Sequence, residues 1–189
     1  MKKLFCLFGI ALCLLISNQA LAVGNFTFGG GATGNIFVVD ASPELDPGVG
    51  GHLYFDYRWS PQFSTQIGVV VTTEDGTGIS NGDNGIEFLG IPTFDLKFYI
   101  LKSDSRWDPY GLIGTGIYAV SEGTTSDGTT AVGVGANLGL GIDYYLTEEL
   151  SVGGSAIYRS IALIDSTSGS NNGTAIFPFS LQAGIAWHW

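Results

Sequence analysis

Apolar and polar residues alternate with a period of two along most of this chain. In the final stretch, FPFSLQAGIAWHW, the odd positions from Phe177 to Trp189 are apolar, and the even positions are mostly small or polar. Successive side chains of a β-strand point to opposite faces, so this stretch predicts a strand with one apolar and one polar face. The stretches LYFDYRW (53–59), FSTQIGVVV (63–71) and VGVGANLGLGIDYYL (132–146) follow the same pattern. No stretch shows a helical period, so the chain is predicted to be all-β.

Two kinds of break separate the predicted strands. Short breaks stand at 60–62, 102–106 and 147–149, and longer breaks rich in Gly, Ser, Thr, Asn and Asp begin at Asp40, Thr73, Ser121 and Ile164. Long and short breaks alternate, which predicts a single antiparallel up-and-down unit of about eight strands. The four long loops then lie at one end and the three short turns at the other.

The polar faces of these strands favour a membrane barrel over a soluble sandwich. In the stretch 132–146, the face opposite the leucines holds Gly133, Gly135, Gly139 and Gly141. Such small side chains suit a confined lumen. Aromatic residues gather near the short breaks, as expected at a membrane interface, and they include Tyr57, Trp59, Tyr144, Trp187 and Trp189. Lipid cannot satisfy backbone N–H and C=O groups, so an all-β membrane chain must close into a transmembrane β-barrel.

The N-terminus predicts export. Lys2 and Lys3 precede an apolar run that is too short to span a membrane, and the small-x-small motif Ala20-Leu21-Ala22 follows. We expect a signal peptide over residues 1–22, cleaved between Ala22 and Val23, and a barrel domain over residues 23–189. Both cysteines lie in the leader, so the mature chain has no disulfide. It carries five basic against seventeen acidic residues, which argues against a nucleic-acid partner.

Several stretches resemble those of a known superfamily. WDPYGLIGTGIYAV and NLGLGIDYYLTEELSVGGSAIYRS resemble the hairpins of small Gram-negative outer-membrane barrels, the eight-stranded OmpA, OmpX and OmpW-like proteins. GIPTFDLKFYIL is similar to the proline-bearing strand of the OmpW family. The ending AWHW, with Ile185, Trp187 and Trp189, resembles a C-terminal signal for outer-membrane assembly. The resemblance implies a monomer in the bacterial outer membrane, with lipids, lipopolysaccharide and the assembly machinery as partners.

Charged residues on the polar faces predict a network inside the barrel. Counting faces inward places seven charges in the lumen: Asp56, Arg58, Glu87, Asp95, Lys97, Asp143 and Arg159. A barrel of about eight strands has little interior room, so buried charges must be paired. They form either a salt-bridged plug or a charged conduction path, and we favour the plug in the half next to the short turns.

The strand GIEFLGIPTFDLKFYI suggests a route for a solute. The count places Leu89 and Ile91 inward, as an apolar patch in a polar lumen, and Pro92 follows directly. Proline removes a ladder hydrogen bond, so it is expected at an edge, bulge or opening. One reading is a break in the wall through which an apolar solute leaves sideways into the membrane, as the OmpW resemblance implies. The other reading is a simple bulge with space-filling side chains.

Three function classes follow from these features. The first is a narrow channel for small solutes, apolar ones among them, and the alternative is a non-conducting structural or adhesion-type barrel. The third is a lipid-modifying enzyme with His52 as general base, but no serine stands beside it at strand spacing. We therefore expect no catalytic residues and no cofactor. TEDGTGISNGDNGIE misses the EF-hand spacing, so no metal site is expected. The long loops are acidic and without basic residues, and carry Asp40, Glu44, Asp46, Glu74, Asp75, Asp83, Glu122, Asp127 and Asp165.

Overall fold

The chain consists of antiparallel strands that follow one another around a barrel. The computed structural model describes residues 25–37, 47–74, 86–100, 106–122, 130–165 and 173–189. The predicted leader, with Ala20, Ala22 and Val23, lies outside these ranges. So do most of the acidic loop residues. Within the ranges there is no helix of the length and apolarity needed to cross a membrane. The strands are β1 Phe26–Phe37, β2 Gly48–Ser60, β3 Phe63–Glu74, β4 Ile86–Tyr99, β5 Trp107–Glu122, β6 Thr130–Tyr145, β7 Leu150–Asp165, β8 Gly173–Ile176 and β9 Pro178–His188.

The sheet closes on itself. Each strand from β1 to β7 pairs with the next, β7 pairs with both β8 and β9, and β9 pairs back with β1 through partners such as Ala32 and Ala183. Strands β8 and β9 run along the same edge of β7 and are separated only by Phe177. They therefore act as one interrupted strand. The predicted closed antiparallel barrel of eight strands is confirmed.

The short connections and both ends of the barrel sequence meet at one end, which we call the turn end. Ser60 Oγ accepts a hydrogen bond from the Phe63 amide at 3.0 Å, and the Leu146 amide donates to the Leu150 carbonyl at 2.9 Å. The Phe26 amide donates to the Trp189 carbonyl at 3.2 Å, so the first and last strands also meet there. The strand ends at Phe37, Gly48, Glu74, Ile86, Glu122, Thr130, Asp165 and Gly173 lie at the opposite end, which we call the loop end.

Apolar side chains cover the outside of the wall. Leu53 and Phe55 on β2 are exposed, and on β6 Leu138 and Leu140 are 62% and 68% exposed. Aromatic rings pack together at the turn end, where the ring centroids of Trp107 and Tyr144 are 4.6 Å apart. This outer surface matches the faces predicted for β2, β3 and β6, because those strands run without an interruption of their alternation.

Strand β4 contains a bulge that changes its alternation. Gly90 pairs with Val70 and Tyr118, while Thr93 pairs with Gly68 and Gly116. Between these two pairs, β4 has two intervening residues where each neighbouring strand has one. The extra residue of β4 falls at the cis peptide Ile91–Pro92. An extra residue moves every side chain beyond it to the other face.

The orientation predicted for the loop-side half of β4 is therefore wrong. Ile91 is 49% exposed on the outside, and Leu89 pairs with Val71, an exposed outer residue. Glu87 is also exposed, two residues further along the same face. The side chain that does point into the lumen is Phe88, which is fully buried. The faces predicted for Asp95 and Lys97, on the turn side of the bulge, are correct.

Candidate functional site

Three layers of inward-facing side chains fill the lumen from the turn end to the loop end. We call them the charged layer, the polar layer and the apolar layer. Their members come from strands on all sides of the barrel, because every second residue of each strand points inward.

Two ion pairs form the charged layer at the turn end. Arg58 Nη1 on β2 donates to Asp108 Oδ2 on β5 at 2.8 Å. Arg58 Nη2 donates to the Pro61 carbonyl at 2.6 Å, and the guanidinium lies 3.8 Å from the centroid of the Tyr99 ring. Since β2 and β5 are three strands apart in a barrel of eight, the Arg58 side chain crosses the lumen.

The second ion pair joins Lys97 on β4 to Asp56 on β2. Lys97 Nζ is 3.3 Å from Asp56 Oδ2, which also accepts a hydrogen bond from Ser64 Oγ at 2.9 Å. The ammonium group lies 4.9 Å from the Tyr54 ring and 4.7 Å from the Tyr110 ring. A buried amine needs such compensation because leaving water is costly.

The polar layer is a chain of hydrogen bonds across the middle of the barrel. Asn137 Nδ2 donates to Asp95 Oδ1 at 2.8 Å, and Asn137 Oδ1 accepts from the Tyr118 hydroxyl. On the other side, Arg159 Nη1 donates to Ser180 Oγ, and Ser180 Oγ donates to Asn35 Oδ1. In the described part of the chain, Asp95 and Arg159 form no ion pair within 4.0 Å.

The apolar layer lies nearest the loop end. The rings of Phe88 and Tyr118 stack with centroids 5.6 Å apart. Four aliphatic side chains complete the cluster: Val70, Ile161, Leu163 and Ile176. Phe88 lies on the bulged strand and Ile176 directly precedes Phe177, so the composition of this layer depends on where those two irregularities fall.

The structure divides the predicted charge network. It places Asp56, Arg58, Lys97 and Asp143 in the charged layer, Asp95 and Arg159 in the polar layer, and Glu87 outside the lumen. The prediction missed Asp108, the second residue of β5. Alternation from Trp107 would have placed it inside, but the residue stands so close to the strand boundary that the sequence alone does not fix its face.

Both histidines are hydrogen-bonded lumen residues. His52 Nδ1 is 2.9 Å from Thr33 Oγ1. His188 lies between β1 and β7, with Nδ1 2.9 Å from Thr27 Oγ1 and Nε2 2.8 Å from Ser151 Oγ. No carboxylate completes a catalytic triad with Ser151 in the described strands, and Ser151 itself is buried. Among the described residues, no three His, Cys, Asp or Glu side chains are grouped so that they would hold a metal ion.

Two small cavities lie among the described side chains of the lumen. One cavity of about 30 Å³ lies against β7 and β9, between His52 and Tyr110, and a second of about 10 Å³ reaches the turn end beside Tyr145 and His188. A water molecule needs about 10–15 Å³ of such space. The larger cavity thus has room for about two or three water molecules and the smaller for about one, and neither accommodates an organic solute.

The predicted C-terminal signal lies on the outer surface. Ile185, Trp187 and Trp189 are all exposed and share the lipid-facing side of β9 and the residue after it. Trp189 packs against Phe26 with ring centroids 6.3 Å apart. Its recognition by an assembly machinery stays a prediction.

Comparisons with known proteins agree with this architecture. The family model described as "Outer membrane protein beta-barrel domain" matches residues 8–187. The outer membrane protein OprG from Pseudomonas aeruginosa is 18% identical over 90% of this chain and 98% of its own, with a TM-score of 0.60. Outer Membrane Protein W of E. coli is 15% identical over 90% of this chain and 100% of its own, with a TM-score of 0.52. Ail, the attachment invasion locus protein of Yersinia pestis, is 15% identical over 88% of this chain and 99% of its own, with a TM-score of 0.58. At these identities the likeness is one of fold. No curated protein is significantly similar in sequence.

Proposed function

Because this chain belongs to the family of outer-membrane β-barrel domains and is located in the bacterial outer membrane, we propose that it is a closed, non-conducting barrel that presents its loops at the cell surface. The observation that carries the proposal is the packing of the lumen. Three successive layers occupy it, and the two cavities described above have room for only about three or four water molecules in all.

Each layer opposes the passage of a solute in a different way. An ion passing the charged layer has to displace Arg58 from Asp108, and separating a buried pair costs about 3–5 kcal/mol. A polar solute passing the apolar layer has to leave water among Phe88, Ile161 and Leu163. These barriers lie in series along the axis. They support the proposal that the barrel does not conduct and serves to hold the loops at the cell surface.

The loops then carry the interactions. Long loops of outer-membrane barrels face the exterior. Here they carry acidic side chains and no basic ones, so we propose partners with positive charge or divalent ions that bridge to lipopolysaccharide phosphates. Ail, which has a similar fold, is named for attachment. The assembly machinery, recognising Ile185, Trp187 and Trp189, completes the proposed partners of a monomeric barrel.

A liposome-swelling assay tests the closed lumen. Liposomes containing the purified protein, diluted into an isotonic solution of a small sugar or amino acid, should keep their volume, as protein-free liposomes do. Liposomes with a general porin provide the positive control. Swelling that increases with the amount of this protein would contradict the proposal.

The bulge in β4 favours a second candidate, a lateral route for apolar solutes. On its lumen side, the Tyr118 ring covers three glycines of adjacent strands. A Cβ at Gly90, Gly116 or Gly135 would lie within 2.9, 2.8 or 3.0 Å of that ring or its hydroxyl. The ladder is interrupted on both sides of Ile91 and Pro92, and Tyr118 closes the interruption from within.

Substituting Tyr118 tests this route. If it exists, Tyr118→Ala should increase the uptake of an apolar dye by cells, relative to the wild type. Tyr99→Ala, which removes a ring from the charged layer, should leave uptake unchanged. Equal uptake by the wild type, both folded variants and cells without the barrel would exclude the route and leave the closed, non-conducting barrel.

A further inference from the structure

The charged layer contains one more negative than positive group. Its carboxylates are Asp56, Asp108 and Asp143, and its cations are Arg58 and Lys97. Asp56 pairs with Lys97, and Asp108 pairs with Arg58. Asp95 and Arg159 in the polar layer contribute equal and opposite charges, so the excess of one negative charge holds for both layers together.

Asp143 is the carboxylate left over. It is 8% exposed and forms neither an ion pair nor a hydrogen bond within the described part of the chain. An ionised carboxylate in such a position loses hydration without a direct ion pair or hydrogen bond to offset that loss, which is unfavourable. The other carboxylates of the lumen have a cation or an amide donor within 3.3 Å.

The Asp143 carboxylate points into free space. It lines both lumen cavities, together with Tyr54 and Lys97. Its Oδ1 lies over Gly153, where a Cβ would come within 2.3 Å of that oxygen. The absence of a side chain at Gly153 therefore makes room for the carboxylate. Further oxygens around the larger cavity belong to Tyr110, Ser155, Gln66 and Gln182.

Asp143 stands two residues before the end of β6, closer to the turn end of the lumen than to the loop end. The smaller cavity extends from Asp143 past Asp56 to Tyr145 and His188 at the turn end. Towards the loop end, the apolar layer closes the lumen with Phe88 and its neighbours. In an outer-membrane barrel the short turns lie at the periplasmic end, so the shorter way to Asp143 is from the periplasm.

We propose that the Asp143 cavity takes up one monovalent positive charge, a proton or an alkali cation, from the periplasmic side. The site accounts for the unpaired carboxylate, the excess charge and the position of the space. The larger cavity is too small for an organic amine. A divalent ion would overcompensate a single carboxylate, and it commonly needs six or more oxygen ligands.

Several other charged or titratable groups face Asp143 and set its surroundings. They are Asp56, Arg58, Tyr54 and His52 from β2, Lys97 and Tyr99 from β4, Asp108 and Tyr110 from β5, Tyr145 on β6 and His188 from β9. Both cations among them are already paired with a carboxylate.

Thermal unfolding of the purified barrel in a neutral detergent tests the site. Sodium chloride replaces choline chloride at constant ionic strength, from low millimolar to half-molar, and a second series varies pH in choline chloride alone. If an alkali cation occupies the site, sodium should raise the Tm by about 2–4 °C once its concentration exceeds the dissociation constant roughly fivefold. If a proton occupies it, the Tm should fall as the pH rises from mildly acidic to mildly alkaline, without a sodium effect.

Variants assign the effect to Asp143. Asp143→Asn should abolish whichever dependence the wild type shows. Asp108→Asn removes the excess negative charge and frees Arg58 beside Asp143, the cross-strand partner of Asp108, so it should also weaken the dependence. Gly153→Ala keeps the carboxylate but displaces it from the cavity, so it should weaken the dependence. This variant provides a second test in case Asp143→Asn does not fold. A wild type insensitive to both sodium and pH, or an Asp143→Asn or Gly153→Ala protein with unchanged dependence, would overturn the proposal.

Discussion

Arg58 holds the turn end of the barrel closed through contacts with three other strands or turns. It pairs with Asp108, donates to the Pro61 carbonyl and stacks on Tyr99. The alternation of β2 predicts that Arg58 points inward, but not which carboxylate it meets. That choice depends on how far β5 is shifted against β2 around the barrel, which no local pattern records.

Removing this side chain should destabilise the barrel strongly. Arg58→Ala leaves Asp108 as a buried, unpaired carboxylate, so the free energy of unfolding should fall by about 3–5 kcal/mol. Arg106→Ala, an exposed arginine at the same end, should change it by no more than about 0.5 kcal/mol. Urea unfolding in lipid vesicles measures both. Equal effects would show that the buried pair does not stabilise the barrel.

Among elements, β4 marks the limit of what alternation predicts. The pattern gave the correct faces for Asp95 and Lys97 and the wrong ones for Glu87, Leu89 and Ile91. Pro92 signals an irregularity in the sequence. The number of residues that the irregularity inserts, however, is fixed by the pairing of Gly90 and Thr93 with both neighbouring strands.

Two substitutions on opposite faces of β4, both on the loop side of the bulge, check this phase shift. Phe88→Ala removes a fully buried ring from the apolar layer, so it should lower the free energy of unfolding by about 3–5 kcal/mol. Leu89→Ala removes a side chain from the outer, lipid-facing surface and should cost about 1 kcal/mol. A larger loss for Leu89→Ala in the same urea titration would mean that β4 has no bulge in the membrane.

Strand β1 needs glycine at one position and tolerates a side chain at another. A Cβ at Gly31 would lie 2.0 Å from the Ala183 carbonyl oxygen and 2.5 Å from the Gly184 Cα on β9. At Gly34 the nearest atom, the Gly48 carbonyl oxygen, is 3.8 Å away. Of these two positions, Gly31 is the one at which two backbones approach each other this closely.

Alanine at these two positions should therefore have opposite outcomes. Gly31→Ala forces β1 and β9 apart at the seam where the barrel closes, and the folded fraction after refolding should fall sharply. Gly34→Ala should refold like the wild type. The heat-dependent shift of the folded band on a gel measures the fraction. Comparable yields for the two variants would contradict the close approach.

For the whole molecule, the sequence suffices for the closed barrel but not for the state of its lumen. Alternation, the order of long and short breaks and the aromatic residues near the short turns all predict the architecture. Whether eight strands leave a pore depends on how Arg58, Tyr118 and Phe88 fill the interior together. Those side chains come from β2, β5 and β4, and their contacts follow from the register and the bulge.

The closed lumen is the central claim, and single-channel recording in planar bilayers tests it most directly. The purified wild-type protein, with insertion confirmed by a protease-accessible tag on a loop, should give no discrete conductance steps in a concentrated salt solution. A variant with Arg58→Ala and Phe88→Ala combined, if it inserts, should show a higher frequency of steps. Regular, discrete steps from the wild-type protein, in proportion to the amount inserted, would contradict the account.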